Sequence, residues 1–242
     1  MVLDDRVAFI TGAGGGIGSA VALALAKEGC KVVLFGGKSI EKLNKTAQKI
    51  KDIGGKAEVF SGDLTDESCM KDLFSSALNK VGKIDILINN AGMALNSAFE
   101  DTTASLFDKI MNINVRVPYI LTQLALPELK KSDRASIINV ASVVAHAGYA
   151  MQSAYVASKH ALLGFTKSLA GEVFDKGIRV HAISPGGVYT DMVKVSRPDL
   201  TPDGMTTPEE VAEVIMFLLK HRGNAVIDEI LIHRTGKTPF LI

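Results

Sequence analysis

Tyr155 and Lys159 stand four residues apart in Tyr155-Val156-Ala157-Ser158-Lys159, with Ser142 a short way upstream. On a helix, residues at i and i+4 share a face, so the lysine ammonium can stand near the phenol oxygen. A nearby cation favours phenolate and draws a tyrosine from its ordinary pKa of about 10 toward working pH. A phenol placed this way can exchange a proton with a carbonyl or alcohol oxygen, and a serine hydroxyl can hold the same oxygen by a hydrogen bond. Hydride moving to or from a nicotinamide ring needs such a partner at the substrate oxygen. The pair gains specificity only in combination with other elements, because lysine is common enough to follow a tyrosine at this spacing by chance.

The other element is Thr11-Gly12-Ala13-Gly14-Gly15-Gly16-Ile17-Gly18, between an apolar run and a helical pattern. Glycines let the backbone approach a ligand closely, and a helix N-terminus offers unpaired N–H groups and positive partial charge to a pyrophosphate. No Lys-Ser/Thr pair follows, which excludes a Walker-type nucleotide site. The order is T-G-x-x-x-G-x-G, with Ile17 where the usual fingerprint carries its third glycine. A dinucleotide is therefore expected over Gly12, Gly14, Gly15, Gly16 and Ile17.

An acid about 20 residues farther on would hold the ribose 2′-hydroxyl of NAD. Here the chain reads Phe35-Gly36-Gly37-Lys38-Ser39. With no acid and a cation beside the vacancy, Gly37, Lys38 and Ser39 suit the 2′-phosphate of NADP; a solvated loop lysine is the competing reading. Asp63-Leu64 and Asn89-Asn90-Ala91-Gly92 follow two further apolar runs. Asp63 is placed to accept from an adenine amine, and Ala91 and Gly92 leave room for a ribose or nicotinamide, although Asp and Asn also stabilise turns on their own backbone.

These motifs must be positioned by alternating strands and helices. Apolar runs at Val7 to Ile10, Lys31 to Phe35, Lys56 to Phe60, Ile84 to Ile88, Ser136 to Val140, Arg179 to Ile183 and Ala225 to Ile232 predict seven strands. Helical patterns lie between them at Ile17 to Glu28, Ser39 to Ile53, Asp66 to Val81, Ala104 to Lys130, Ser153 to Phe174 and Pro208 to His221. Strands apolar on both faces are those of a parallel sheet covered on both sides, so a doubly wound, Rossmann-type α/β domain with a seven-stranded, mostly parallel sheet is expected. No linker or repeat divides the 242 residues, and one domain is the simplest account.

The formal net charge of +1, without a basic block, gives little to attract nucleic acid or an anionic membrane, and Trp is absent. No apolar run approaches the 18 or so residues that cross a bilayer, and the N-terminus lacks an export signal, so a cytoplasmic protein is expected. Cys30 and Cys69 have no partners at ligand spacing; no metal site and no disulfide is expected.

Taken together, T-G-x-x-x-G-x-G, N-N-A-G at Asn89 to Gly92, Ser142, Y-x-x-x-K at Tyr155 to Lys159, and Pro185-Gly186 with Thr190 resemble the short-chain dehydrogenase/reductase family, from Val7 to roughly Met192. The resemblance implies a fourth catalytic member, Asn114 in Ile113-Asn114-Val115, holding a water that links Lys159 to solvent. It also implies that Lys159 holds the nicotinamide ribose and that Pro185, Gly186, Val188 and Thr190 pack on the nicotinamide and its carboxamide. A homodimer or homotetramer pairing through Ala104 to Lys130 and Ser153 to Phe174 is implied as well. Two departures stand out: the glycine turn lacks the basic residue that many NADP users carry, and Val226 to Arg234 replaces the acidic residue and paired glycines of many members.

The expected activity is NADP(H)-dependent interconversion of a carbonyl and a secondary alcohol, with Tyr155 as acid/base, Lys159 lowering its pKa and Ser142 orienting the oxygen; NAD remains the other coenzyme. By family analogy the small-molecule substrates include 3-oxoacyl thioesters, small ketones or aldehydes, and polyols. Val144, His146, Tyr149, Met151, Met93, Leu95 and Met192 are expected to line a mostly apolar pocket without an arginine, and the short Thr190 to Thr207 segment argues against a deep lid. A non-catalytic NADP(H)-sensing protein is the alternative, disfavoured because a sensor has no need of Ser142, Tyr155 and Lys159. A nucleotide-sugar epimerase would require a further domain.

Overall fold

The structure, a computed structural model, describes residues 2–37, 39–196 and 199–238. Its strands are β1 (Val7–Thr11), β2 (Lys31–Gly36), β3 (Ala57–Ser61), β4 (Ile86–Asn89), β5 (Ser136–Val140), β6 (Arg179–Pro185) and β7 (Glu229–Ile232). They form a single sheet in the order β3-β2-β1-β4-β5-β6-β7, parallel at every pairing. Seven expected strands are present, the last contracted to four residues.

Alternation along the central strands explains their continuous apolar character. Ala8, Ile10, Val32, Leu34, Ile86 and Ile88 face one core layer. Val7, Phe9, Val33, Phe35 and Leu87 face the other. A period of two thus fills both faces at once. Helices α1 (Gly16–Lys27), α2 (Ile40–Asp52), α3 (Glu67–Val81), α4 (Ala104–Met111), α5 (Val117–Leu129), α6 (Ser153–Val173), α7 (Asp191–Ser196) and α8 (Pro208–Lys220) cover them. Residues of α1, α2 and α8 build the first layer, and those of α3, α5 and α6 the second. Asp66 caps α3 by accepting from the Cys69 N–H, and Thr207 with Glu210 forms a capping box on α8.

The expected single helix over Ala104 to Lys130 is broken. Residues Asn112–Arg116 form a π-turn between α4 and α5. Pro118 has no N–H to return to the Asn114 carbonyl four residues earlier, so the α-helical register cannot continue there and one residue is accommodated as a bulge. The bulge puts Asn114, 1% exposed, inside the molecule. Helix α7 is an element not expected from the sequence; it folds within the short Thr190 to Thr207 segment.

β1 gives way to β4 where the strand order reverses, opening a crevice at the carboxyl ends of the strands. The opposite edge is closed by charge. Asp85, 2% exposed, accepts from the Val7 N–H at 2.9 Å and Ser132 Oγ at 2.6 Å, with Arg6 at 3.2 Å and Lys83 at 3.1 Å. Burial pushes its carboxyl up, but Ser132, Val7 and Lys83 more than offset this and hold it below the ordinary aspartate value. Among the described residues, no helix is long and apolar enough to cross a membrane and no cluster of side chains could hold a metal ion. Burial pushes the Cys30 thiol up to about 12, which makes it a small apolar residue rather than a nucleophile.

Asp85→Ala leaves a buried N–H, a hydroxyl and two cations without their acceptor, and is expected to destabilise the protein by about 3 kcal/mol. Urea unfolding measures this; a loss under about 1 kcal/mol would mean that water replaces the carboxylate.

Candidate active site

A cavity of about 610 Å³ lies at the carboxyl ends of the strands, within the range of small-molecule sites. Gly12, Gly14, Gly15, Gly16 and Ile17 line it. Helix α1 starts from them with no side-chain cap and no acid in its first turn, so its first N–H groups and the positive end of its dipole are offered to a ligand. Gly12 and Gly16 have φ of 66° and 51°. A Cβ on Gly18 would sit 2.3 Å from the Gly12 carbonyl oxygen, so the last glycine of the motif is required for α1 to close on β1.

The N-N-A-G segment braces this turn. The Thr11 hydroxyl accepts from the N–H groups of Asn90 and Ala91 at 3.0 and 2.9 Å. The Asn90 amide donates back to the carbonyls of Thr11 and Gly12 at 3.0 and 3.3 Å. Asn90, Ala91 and Gly92 line the cavity, as do Gly37, Ser39, Pro185, Gly186, Val188 and Thr190. An uncapped helix end, glycines that clear its approach and a cavity of this size fit a dinucleotide: the turn would take the pyrophosphate, and Ser39 with Lys42 would flank the adenosine end.

Asp63 and Leu64 do not line the cavity. The Asp63 carboxylate turns back to the backbone N–H and hydroxyl of Thr65 at 2.9 and 2.6 Å, and Leu64 is buried in the core layer. Lys38 lies outside the described residues.

At the far end stand Ser142, Tyr155 and Lys159. Ser142 follows β5, donates to the Pro185 carbonyl at 3.3 Å and lies close enough to Tyr155 to act on its phenol. Lys159 is buried; its Nζ donates to the Val140 carbonyl at 2.8 Å and lies 5.8 Å from the centre of the Tyr155 ring. Burial pushes the Lys159 ammonium down to about 8. The expectation that Lys159 depresses the Tyr155 pKa is not met: burial raises the phenol, and only the hydrogen bond with Ser142 works against it. Desolvation disfavours both charged forms, and the ammonium is turned toward Val140.

Asn114 is beneath these groups rather than in the cavity wall. Its Oδ1 accepts from the Met93 N–H at 2.8 Å. Its Nδ2 donates to the Met93 carbonyl and to Ser158 Oγ, both at 2.9 Å, and Ser158 donates to the Tyr155 carbonyl at 2.7 Å. Asn114 thereby ties the chain after β4 to the turn of α6 that carries Tyr155 and Lys159.

Of the expected substrate-pocket residues, Met93, Val144, Tyr149 and Met192 line the cavity, whereas Leu95, His146 and Met151 do not. His146 pairs instead with Glu229 at 2.6 Å. Val193, Leu200 and Met205, from α7 and the chain after it, add a small cover. The expectation of a pocket without arginine also fails: His233, Arg234 and Lys237 reach its wall. Their signal is topological, since a seventh parallel strand beside β6 delivers its following residues to the same edge. Lys42 is likewise in the wall, on the first turn of α2.

A family model described as short chain dehydrogenase matches residues 6–201. The 3-oxoacyl-[acyl-carrier-protein] reductase of Thermotoga maritima is 34% identical, covering 96% of this chain and 97% of its own. Among solved structures, a metagenomic short-chain oxidoreductase in complex with NADP superposes with a TM-score of 0.85 at 29% identity, covering 98% of this chain and 100% of that one. A short chain dehydrogenase from Mycobacterium paratuberculosis bound to NAD gives a TM-score of 0.86 at 27% identity, with 97% of each chain covered.

The buried lysine has a thermodynamic signature. Displacement from 10.5 to about 8 disfavours the folded state below pH 8 by up to roughly 3 kcal/mol. Between these values the folded protein binds fewer protons than the unfolded chain, so this contribution makes stability rise with pH. The melting temperature of Lys159→Met relative to wild type is expected to be highest at pH 7 and to fall by about 5 °C by pH 10. Calorimetry at both pH values checks this, and a constant difference would show that the ammonium is solvated.

Proposed function

From the membership of this chain in the short-chain dehydrogenase/reductase family, a family of oxidoreductases acting on carbonyl and CH–OH groups, we propose an NADP(H)-dependent enzyme that interconverts a carbonyl and a secondary alcohol with Tyr155 as general acid/base. The observation that carries the reading is that Ser142, Tyr155 and Lys159 stand together in the wall of the same cavity as the uncapped glycine turn.

The nicotinamide, when bound, supplies or accepts the hydride. The chain does the rest. The N-terminus of α1 binds the pyrophosphate through its free N–H groups. Pro185, Gly186, Val188 and Thr190 form one side of the cavity and orient the ring. Ser142 holds the substrate oxygen beside the Tyr155 hydroxyl. Because burial raises the phenol, Tyr155 is protonated at neutral pH and ready to give its proton to an oxygen that gains charge as hydride arrives, which suits reduction. Lys159, brought down to about 8, can exchange a proton near working pH and re-protonate the phenol. Asn114 acts through Met93 and Ser158, keeping α6 at the correct height.

NADP rather than NAD is supported by the absence of an acid at the end of β2, the first one downstream being Glu41 inside α2, and by Lys42 in the cavity wall near Gly37 and Ser39, with Lys38 the nearest further cation in sequence. Pairing with a second copy, as dimer or tetramer, belongs to the same reading; Phe107 on α4 and Tyr119 on α5 are 41% and 51% exposed.

Tyr155→Phe is expected to bind NADPH within about threefold of wild type while kcat falls by about 100-fold or more across a panel of ketones, aldehydes and oxoacyl thioesters followed by nicotinamide absorbance. Turnover near wild type would remove the tyrosine from the chemistry. For the coenzyme, fluorescence titration should give NADPH at least about tenfold tighter than NADH, with Lys38→Asp closing the gap; equal affinities in the wild type would refute the preference.

A further inference from the structure

The C-terminal end of β7 carries a cation that the rest of the protein leaves unused. β7 runs parallel to β6 with Ile232 opposite Pro185, and the Gly186 N–H donates to the Ile232 carbonyl at 2.7 Å. The residues that follow each strand therefore run side by side along the rim. A Cβ placed on Gly187 would lie 3.6 Å from Cδ and 3.8 Å from Nη1 of Arg234, so this side chain lies across bare glycine backbone and into the cavity wall.

Arg234 is half-buried, yet among the described residues no hydrogen bond or ion pair engages its guanidinium. The other described arginines are all engaged: Arg6 with Asp85 and Asp133, Arg116 with Glu67, Arg134 with the Lys220 carbonyl, Arg179 with the Gly223 carbonyl and Arg222 with the Ala135 carbonyl. Lys237, whose N–H closes a turn onto the Arg234 carbonyl at 3.1 Å, lines the cavity as well, as does His233, whose Nε2 is buried without a partner. Asp191 is the one acid in the wall among the described residues, and it is paired with Lys42 at 3.4 Å and Lys194 at 3.7 Å.

We propose that Arg234, assisted by Lys237, binds an anionic group of the substrate, so that the physiological carbonyl compound is an oxo acid or a phosphate-bearing oxo compound and not a neutral ketone or polyol. The proposal rests on the oxidoreductase reading and names its substrate class. Guanidinium groups hold carboxylate and phosphate oxygens through paired N–H bonds. The spacing suits a short molecule. Ser142 bonds the Pro185 carbonyl, the partner of Pro185 is Ile232, and Arg234 follows two residues beyond the end of β7, so both side chains belong to the same stretch of the rim. An anionic group a few bonds from the reacting carbon would span that interval.

The test uses pairs that share a reacting carbonyl and differ in charge: 3-oxobutanoate and 4-oxopentanoate against their methyl esters, and hydroxyacetone phosphate against hydroxyacetone for the phosphate source. With NADPH and the full chain, kcat/KM should favour at least one charged member by about tenfold or more, and the charged-to-neutral ratio should fall at least about tenfold in Arg234→Gln and less in Arg234→Lys. The pair that discriminates identifies carboxylate or phosphate as the group. Equal use of charged and neutral members overturns the proposal, as does an unchanged ratio in Arg234→Gln accompanied by weaker NADPH binding, which would give the arginine to the coenzyme. Calorimetric binding of the same compounds to the NADP-loaded protein decides the matter independently of turnover. Binding of the anion that is lost in Arg234→Gln sustains the proposal, and indifference to charge defeats it; absence of turnover with every compound counts against the oxidoreductase reading alone.

Discussion

A positive charge held out of water is the constraint on which the site depends. Lys159 lies on a helix that packs on the sheet, and its ammonium reaches a single backbone carbonyl, that of Val140. Burial without a carboxylate is unfavourable, and the surrounding structure has to enforce it. Asn114 does this indirectly, by fastening Met93 to Ser158, one residue before Lys159 in sequence. Asn114 in turn sits in the π-turn between α4 and α5, just ahead of Pro118, which offers its carbonyl no N–H. The chain of causes runs from a missing N–H, through a π-turn, to the height of α6 against the strand ends. Burial moves the Tyr155 phenol up and the Lys159 ammonium down, whereas the same groups in water would keep their ordinary values.

The two ends of the sheet divide stability from chemistry. At the amino ends, Asp85 gathers Arg6, Lys83, Ser132 and the Val7 N–H into a satisfied network. At the carboxyl ends polar groups are left available: the first N–H groups of α1, the Arg234 guanidinium, and His233 Nε2. Between them Asn89 and Asn139 are linked across β4 and β5 at 2.8 Å, with Thr122 and Thr166 taking further bonds from their amides. The core layers above and below hold the strands in register, which lets the open end tolerate unpaired donors without loosening the fold.

Sequence made the frame legible because each strand fills two faces and each helix is punctuated. Val7 to Ile10 and Ile84 to Ile88 could hardly be other than central strands, and Gly12 and Gly18 mark the turn at positions that admit no Cβ. Side-chain direction was less legible. Asp63 stands at the expected sheet edge, but its carboxylate is occupied by Thr65. His146 is in the expected loop but is turned to Glu229. Both are short-range choices between a ligand and a neighbour, and spacing alone does not distinguish them. The π-turn could have been read from Pro118 by asking which carbonyl it deprives of a donor. The electrostatics of Tyr155 depended on depth, and no pattern of residue types reports how far an ammonium is from water.

β7 joins the edge of the sheet to the chemistry in a way its length does not suggest. It has four residues, none fully buried, and a strand so short would be loosely held by its ladder alone. Glu229 compensates: one carboxylate oxygen accepts from Ser184 on β6 and meets His146 Nε2, both at 2.6 Å. His146 directly follows the helical turn Val143–Ala145 that Ser142 caps. The same carboxylate therefore fastens β7 to its neighbouring strand and to the loop that carries Ser142. Arg234 lies five residues beyond Glu229, so the position of its guanidinium and that of Ser142 are referred to one anchor. An ionisable pair outside the cavity wall thus ties the strand that precedes Arg234 to the loop that carries Ser142. That arrangement fixes the first residue of a short edge strand, so β7 does not depend on its ladder alone to keep its place beside β6.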